Sequence, residues 1–161
     1  MSRGVTMESR RIISGITELR NLVGEHLGYS EWLHVTQDMV NTFASATGDH
    51  QWIHVDVPRA AAGPFGATIA HGFLTLSLAP RLIPTIYSVS GVVMGINYGT
   101  NKVRFPSPVP VGSHLRVGVT LKEVSELPDS VQTFIEAKFE VRDAPKPVCV
   151  AELVSRLYFA D

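Results

Sequence analysis

The sequence predicts an α+β fold in which an antiparallel β-sheet wraps a central helix. Helical periodicity dominates the first half of the chain, a strongly apolar helical segment lies near the middle, and strands with alternating apolar and polar residues fill the second half. Because no crossover helices separate those strands, we expect them to pair as antiparallel neighbours.

The composition is that of one domain with its own core. The chain has 161 residues, of which 45% are hydrophobic and 18% charged, and it needs neither disulfides nor a structural metal to fold. The formal net charge is −1 without a long basic run, so neither nucleic acid nor an anionic membrane is an expected partner. The single cysteine, Cys149, excludes an internal disulfide and is consistent with a reducing cytosol.

We expect residues 1–15 to form a flexible N-terminal extension and residues 16–161 to form the single domain. The N-terminal segment contains arginines but no apolar run long enough for a signal-peptide core, and Met7 is an alternative start site. No later segment has the length and apolar character of a membrane span. The expected location is therefore the cytoplasm.

The elements of the first half follow from helical spacing and capping residues. Residues 16–27 predict a first helix that stops at Gly28. Residues 30–35 predict a short strand, and the hydroxyl of Thr36 is suited to cap a second helix over residues 37–48. The apolar stripe of the first helix consists of Leu19, Leu22, Val23 and Leu27.

The middle of the chain predicts the central helix and the second half predicts the sheet. Residues 57–66 predict a short helix and a Pro/Gly-rich loop, and residues 69–87 are apolar on nearly every side, as in a buried helix. From residue 92 the periodicity changes to two. Strands are predicted at 92–99, 101–105, 114–124, 131–141 and 147–159. A long edge strand invites pairing with another copy, so we expect a homodimer with a continuous sheet.

The stretch "ATGDHQWIHVD", residues 46–56, concentrates groups that handle protons. Asp49 and His54 are five residues apart across a predicted loop, so both side chains could face one cavity and activate one water molecule. The alternative is that Asp49 caps a turn after Gly48 and that His54 packs in the core. The residues alone leave both interpretations open.

Metal binding and nucleophilic catalysis are weaker hypotheses for this region. His50, His54, Asp56 and His71 are competent ligands, but no helical HxxxH spacing and no cysteine pair accompanies them. We therefore predict no metal. No serine lies in a GxSxG elbow, and Cys149 lies in a predicted strand, where a buried inert thiol is expected.

The segment "IAHGF" places Gly72 at the start of the apolar helix. Free N–H groups at a helix start stabilise negative charge, so the Gly72 amide could support the enolate of a thioester. Alternatively, Gly72 serves only to let the helix pack closely against the sheet.

Three blocks of sequence resemble a known family. "FASATGDHQWIHVD" is similar to the hydratase-2 motif of the MaoC-like, (R)-specific enoyl-CoA hydratases, "TIAHGFL" to the second block of that family, and "NYGTNKVRFPSPVPVGSHLRV" to its third. The resemblance extends from about Trp32 to the C-terminus. It implies a single hot-dog domain, in which an antiparallel sheet wraps a long central helix, and a homodimer paired edge to edge.

The resemblance also implies roles for individual residues. Asp49 and His54 match the catalytic pair that activates water, and Gly72 matches the glycine whose amide holds the thioester oxygen. The family usually has Asn-Pro where this chain has Gln51-Trp52. Substrate-binding candidates are Gln51, Trp52, His71, Asn101 and Arg104.

Some of these residue roles have alternative interpretations. Trp52 is a candidate to line the acyl or thioester tunnel, and Pro80 stands where some relatives have a serine. Asn101, Lys102 and Arg104 are candidates to contact coenzyme A phosphates, and the rival interpretation is a solvated strand face.

The implied activity is the reversible hydration of trans-2-enoyl-CoA to (3R)-3-hydroxyacyl-CoA in fatty-acid metabolism. No cofactor is expected, because the thioester itself makes the β-carbon electrophilic. Two alternatives remain on the same fold: an acyl-CoA thioesterase, and a non-catalytic acyl-CoA-binding module.

Overall fold

A six-stranded antiparallel sheet forms the main layer of the computed structural model, which describes residues 10–160. Its strands are β2 (His26–Tyr29), β3 (Leu33–His34), β5 (Val92–Arg104), β6 (His114–Glu126), β7 (Val131–Val141) and β8 (Cys149–Phe159). The order across the sheet is β2-β6-β7-β8-β5, and β3 also pairs with β6. A separate parallel pair joins β1 (Arg11–Ile13) to β4 (Tyr87–Val89).

The alternation predicted for the long strands is confirmed where the sheet faces the core. In β6 every second residue from Leu115 to Leu121 is completely buried. Phe139 on β7 and Cys149 on β8 are buried on the same layer. Burial of one apolar face fixes the register, because a slip by one residue would turn that face to water.

Helical segments cover the buried face of this sheet. They are α1 (Gly15–Asn21), α2 (Gln37–Thr47), α3 (Trp52–Val55), α4 (Val57–Ala61), α5 (Gly72–Ser77), α6 (Ala79–Leu82) and a 3-10 turn (Ile83–Thr85). Thr36 caps α2 as predicted, since its hydroxyl accepts a hydrogen bond from the Met39 N–H at 3.3 Å. Within residues 10–160, no helix has the length and apolar character needed to cross a membrane.

The fold class is confirmed, but the central helix is divided into three pieces. Residues 72–85 form α5, α6 and the 3-10 turn, and Pro80 and Pro84 stand at the start of the second and third pieces. Proline lacks the N–H that would continue the hydrogen-bond ladder, which explains the divisions. Phe73 is 69% exposed, so the segment is not buried on every side.

The first helix is shorter than predicted. It ends at Asn21, and Leu27 and Gly28 lie in β2, which pairs with β6. Gly24 has a φ of +91°, which turns the chain between the two elements. Of the predicted stripe, Leu19, Leu22 and Leu27 are buried but Val23 is 44% exposed, and strand pairing, not helical continuation, buries Leu27.

The C-terminal part of the expected extension contains regular structure. Residues 11–13 form β1, and Ile13 is fully buried against the core. Residues 1–9 lie outside the described residues.

The two strands predicted at 92–99 and 101–105 form one edge strand, β5.

The Cys149 thiol provides a test of the packed core. The side chain is fully buried, and burial raises its pKa to about 11. At pH 8 only about one thiol in a thousand is then ionised, so we expect the native protein not to react with DTNB within minutes. One thiol per chain should react in denaturant, and rapid stoichiometric labelling of the native protein would contradict this packing.

Candidate active site

The end of helix α2 directs the chain into the site. Gly48 follows α2 with a φ of +80°, and its N–H donates to the Ala44 carbonyl at 2.8 Å. This left-handed residue reverses the chain direction so that Asp49 leaves the helix with its carboxylate exposed. The Asp49 Oδ1 accepts from the Gln51 N–H at 3.4 Å.

His54 is held in a defined tautomer. It lies on the one-turn helix α3, not in the loop predicted from the sequence, and it is 6% exposed. Its Nδ1 lies 2.7 Å from the carbonyl oxygen of Ile69. A carbonyl oxygen only accepts, so Nδ1 carries the proton and the Nε2 of the neutral ring is free to accept one.

His71 joins the two catalytic candidates. Its Nε2 lies 2.9 Å from the Asp49 carbonyl oxygen and donates to it, and its ring stacks on that of His54 with centroids 3.8 Å apart. The ring is 3% exposed, and its Nδ1 has no hydrogen-bond partner among the described residues. His71 therefore anchors the backbone beside the Asp49 carboxylate and packs against the His54 imidazole.

The resulting cluster brings a carboxylate and two imidazoles together. One polar atom each from Asp49, His54 and His71 lie within 4.8 Å of one another. This spacing suits a water molecule bridging the carboxylate and the His54 ring. As a metal site the set is poor, because nitrogen lone pairs lie in the ring planes and stacked rings do not aim them at one point, as a tetrahedral ion requires.

A cavity of about 360 Å³ opens beside His54 and Gly72. A Cβ on Gly72 would lie 3.0 Å from the Phe105 ring, so glycine allows the helix start and this ring to approach closely. As the first residue of α5, Gly72 has an N–H without an acceptor inside the helix. Phe65, Phe73 and Phe105 are exposed near this opening and make it apolar.

A second cavity of about 410 Å³ lies between the divided central helix, at α6 and the 3-10 turn, and the edge of the sheet formed by β8 and β5. Its walls are mostly apolar and come from α6, the 3-10 turn and strands β5 and β8. A smaller cavity lined by Ser77, Pro80 and Thr100 adjoins it and shares several lining residues. Apolar space therefore extends along the helical segment toward Val92.

Gln51 and Trp52 are placed at the edge of the cluster. Gln51 is the N-cap of α3 and is exposed. Trp52 does not line the cavity beside His54; its ring packs against Gly63, and the Arg59 guanidinium lies 4.3 Å from the ring centroid. The structure thus gives Trp52 a contact with helix α4.

Asn101 and Arg104 are exposed on the edge strand β5. Asn101 Nδ2 donates to Glu152, and Arg104 Nη1 donates to its neighbour's carbonyl, that of Val103, at 2.8 Å. Neither side chain lines the cavity beside His54, although Phe105 does. Lys102 is exposed on the same strand.

Three residues that support His54 were not identified from the sequence: Gln37, Thr68 and Ile69. Gln37 Nε2 donates to the His54 carbonyl at 2.8 Å, and Thr68 Oγ1 donates to Gln37 Oε1 at 2.6 Å. These contacts join residues 17 and 31 positions apart. No local pattern in the sequence signals such pairs.

Comparison with known proteins finds a family model that matches most of the chain and relatives that are similar over nearly its full length. The model of the MaoC like domain matches residues 18–139. The chain is 54% identical over 147 residues to 3-hydroxyacyl-thioester dehydratase Z of Mycobacterium tuberculosis, covering 91% of this chain and 97% of that protein. It is 40% identical over 152 residues to Nodulation protein N of Rhizobium meliloti, covering 89% and 91%.

Solved structures agree with the fold. A monoamine oxidase regulatory protein from Archaeoglobus superposes with a TM-score of 0.73 at 24% identity, covering 92% of this chain and 97% of that one. An R-hydratase from Pseudomonas aeruginosa superposes with a TM-score of 0.68 at 27% identity, covering 86% and 83%.

Gly48 provides a test of the turn that presents Asp49. A Cβ at this position meets nothing within 4 Å, so Gly48→Ala adds backbone strain without a clash. We expect a loss of about 1–2 kcal/mol in the free energy of unfolding, measured with urea. Gly48→Asn should lose less, because asparagine tolerates the left-handed conformation. Equal losses in the two variants would show that the left-handed backbone conformation of Gly48 is not the cause of the destabilisation.

Proposed function

The chain belongs to the MaoC-like dehydratase family, and on this basis we propose that it is a 3-hydroxyacyl-thioester dehydratase that reversibly hydrates trans-2-enoyl-CoA to (3R)-3-hydroxyacyl-CoA. The observation that carries the proposal is the meeting of the Asp49 carboxylate and the His54 imidazole beside a cavity that Gly72 also borders. The 54% identity to a 3-hydroxyacyl-thioester dehydratase supports the reaction class. The likeness to an R-hydratase supports the stereochemistry.

In the hydration direction, one water molecule is bound between Asp49 and His54. The free Nε2 of His54 takes a proton from this water while the Asp49 carboxylate accepts its second hydrogen and orients it. The water oxygen bonds to C3 of the enoyl thioester. The electron pair of the C2=C3 bond moves toward the thioester carbonyl, which becomes an enolate.

The Gly72 amide stabilises that enolate. Its N–H lies at the start of α5, where the backbone has donors without helical acceptors. The imidazolium of His54 then returns a proton to C2, which yields the 3-hydroxyacyl thioester and restores the neutral ring. Dehydration follows the same steps in reverse, with His54 removing the C2 proton.

The apolar spaces suggest how the thioester is accommodated. The opening beside Gly72 is lined by Phe65 and Phe105, which suits the apolar part of the pantetheine arm. The cavity of about 410 Å³ along α6 suits an acyl chain. Gln51, Asn101 and Arg104 are proposed to contact the substrate, with Asn101 and Arg104 on the exposed strand toward coenzyme A phosphates. Trp52 and His71, also candidates from the sequence, instead pack against α4 and against the Asp49–His54 pair.

We further propose that two copies pair through strand β5. This strand is thirteen residues long, lies at the sheet edge and exposes Val93, Met94, Ile96 and Tyr98. Long apolar edge strands are normally covered by a partner. A second copy would also enclose the cavity of about 410 Å³, because Ile96 and its neighbours on β5 line it.

The catalytic pair is tested by substitution. Asp49→Asn and His54→Gln should each lower kcat for hydration of crotonyl-CoA by about two to four orders of magnitude, because each removes acid–base help at the water. The measurement is the decrease in enoyl-thioester absorbance, with chiral analysis of the product. His50→Gln is the matched control and should retain activity, since exposed His50 is outside the cluster.

The same reaction distinguishes the alternatives. A thioesterase would release free coenzyme A, which DTNB detects, and buried Cys149 should add no background. A binding module would show no turnover. Wild-type-like rates in Asp49→Asn or His54→Gln would contradict the assignment.

The dimer is tested at the edge strand. Ile96→Lys places a charge where the partner strand would cover it, and we expect the dissociation constant of the dimer to rise at least about tenfold. Val23→Lys is the matched control on an exposed aliphatic residue away from β5. Sedimentation at micromolar concentrations measures both. A monomeric wild-type protein, or equal behaviour of the two variants, would refute pairing through β5.

A further inference from the structure

We propose that Gln37 is a positioning residue that holds the catalytic base His54 through a closed ring of hydrogen bonds. The ring runs from the Gln37 side chain to the His54 backbone, from the His54 imidazole to Ile69, and from the adjacent Thr68 back to Gln37. The inference rests on the proposed role of His54 as the base.

The contacts of Gln37 fix the orientation of its amide. The His54 carbonyl oxygen only accepts, so the atom 2.8 Å from it is Nε2. Oε1 then faces Thr68 and accepts its hydroxyl hydrogen at 2.6 Å. A further Nε2 hydrogen reaches Asn41 Oδ1 at 3.0 Å, so every polar atom of the amide has a partner.

The other half of the ring holds the imidazole. Ile69 follows Thr68 in the chain, and its carbonyl accepts the His54 Nδ1–H at 2.7 Å. The Ile69 N–H donates to the Ile53 carbonyl at 3.0 Å, which joins the same loop to α3 a second time. Gln37 therefore holds the His54 backbone directly and, through Thr68, the carbonyl that holds the ring.

The local structure explains why Gln37 can make these contacts. Thr36 caps α2 and Gln37 is the first residue of the helix, so its side chain extends beyond the helix start toward α3. Thr68 and His54 are both buried. Water therefore competes little for these hydrogen bonds, and their geometry is restrictive.

The chemical consequence is a fixed tautomer and a fixed direction of the His54 Nε2 lone pair. Contacts behind a functional imidazole determine which nitrogen carries the proton and where the ring points, and their loss commonly costs about 10–100-fold. The effect should fall on kcat, because the ring directs water and does not hold the thioester.

The test replaces Gln37 with glutamate. Gln37→Glu keeps an acceptor for Thr68 but places a carboxylate oxygen against the His54 carbonyl. We expect kcat for crotonyl-CoA hydration to fall about 10–100-fold with KM little changed. With its backbone no longer held by the Gln37 amide, the His54 ring should lose its fixed tautomer, which the ¹⁵N chemical shifts of the two ring nitrogens report.

Matched variants separate positioning from general damage. Asn41→Asp adds the same charge on the same helix while keeping an acceptor for Gln37, and should leave kcat within about twofold and the His54 tautomer unchanged. Thr68→Val breaks the ring without adding charge and should lower kcat, whereas Thr68→Ser should restore it. Thermal unfolding confirms that each variant is folded.

The His54 tautomer is also followed without turnover, by the ¹⁵N chemical shifts of its ring nitrogens. If the wild type hydrates no enoyl thioester, the proposed function fails, and these shifts still decide the positioning role. Ring-nitrogen shifts that show the wild-type tautomer in folded Gln37→Glu would overturn it. So would wild-type kcat in folded Thr68→Val.

Discussion

The hydrogen bond from His54 Nδ1 to the Ile69 carbonyl is the contact on which the rest of the site depends. A neutral imidazole has one donor and one acceptor, so engaging Nδ1 as the donor leaves Nε2 as the acceptor. The same bond ties helix α3 to the loop that precedes α5. It thereby determines both the chemistry of the ring and the distance between the Asp49–His54 segment and Gly72.

Three further restraints position the residues around this contact. The left-handed turn at Gly48 ends α2 and presents Asp49, and His71 donates to the Asp49 carbonyl from the residue before α5. The absence of a side chain at Gly72 lets Phe105 close against the helix start. The second and third restraints join segments that are distant in the sequence, so the cluster is assembled by tertiary structure and not by a local motif alone.

The sequence was informative where the physical signal is local or periodic. Alternation predicted the buried face of β6, the Thr36 hydroxyl predicted the start of α2, and three sequence blocks identified the family. The end of α1 was misplaced because Leu27 satisfies helical spacing and strand burial equally well, and pairing with β6 decides between them.

Contacts between distant positions could not be predicted in this way. In the sequence, Gln37 is an ordinary polar residue at a helix start. Its contacts with His54 and Thr68 exist only once the chain has folded. The contacts of Trp52 could not be predicted from the sequence either. Its place against Gly63 and Arg59 depends on where α4 packs, which no spacing rule specifies.

In the proposed mechanism, one pair of side chains on one side of the substrate both removes the proton from water and returns a proton to C2. Hydration of crotonyl-CoA in D₂O tests it most directly, with the relative configuration at C2 and C3 read from proton coupling constants. We expect a single diastereomer in which oxygen and deuterium have added to the same face. Addition to opposite faces, or a mixture of diastereomers, would contradict it.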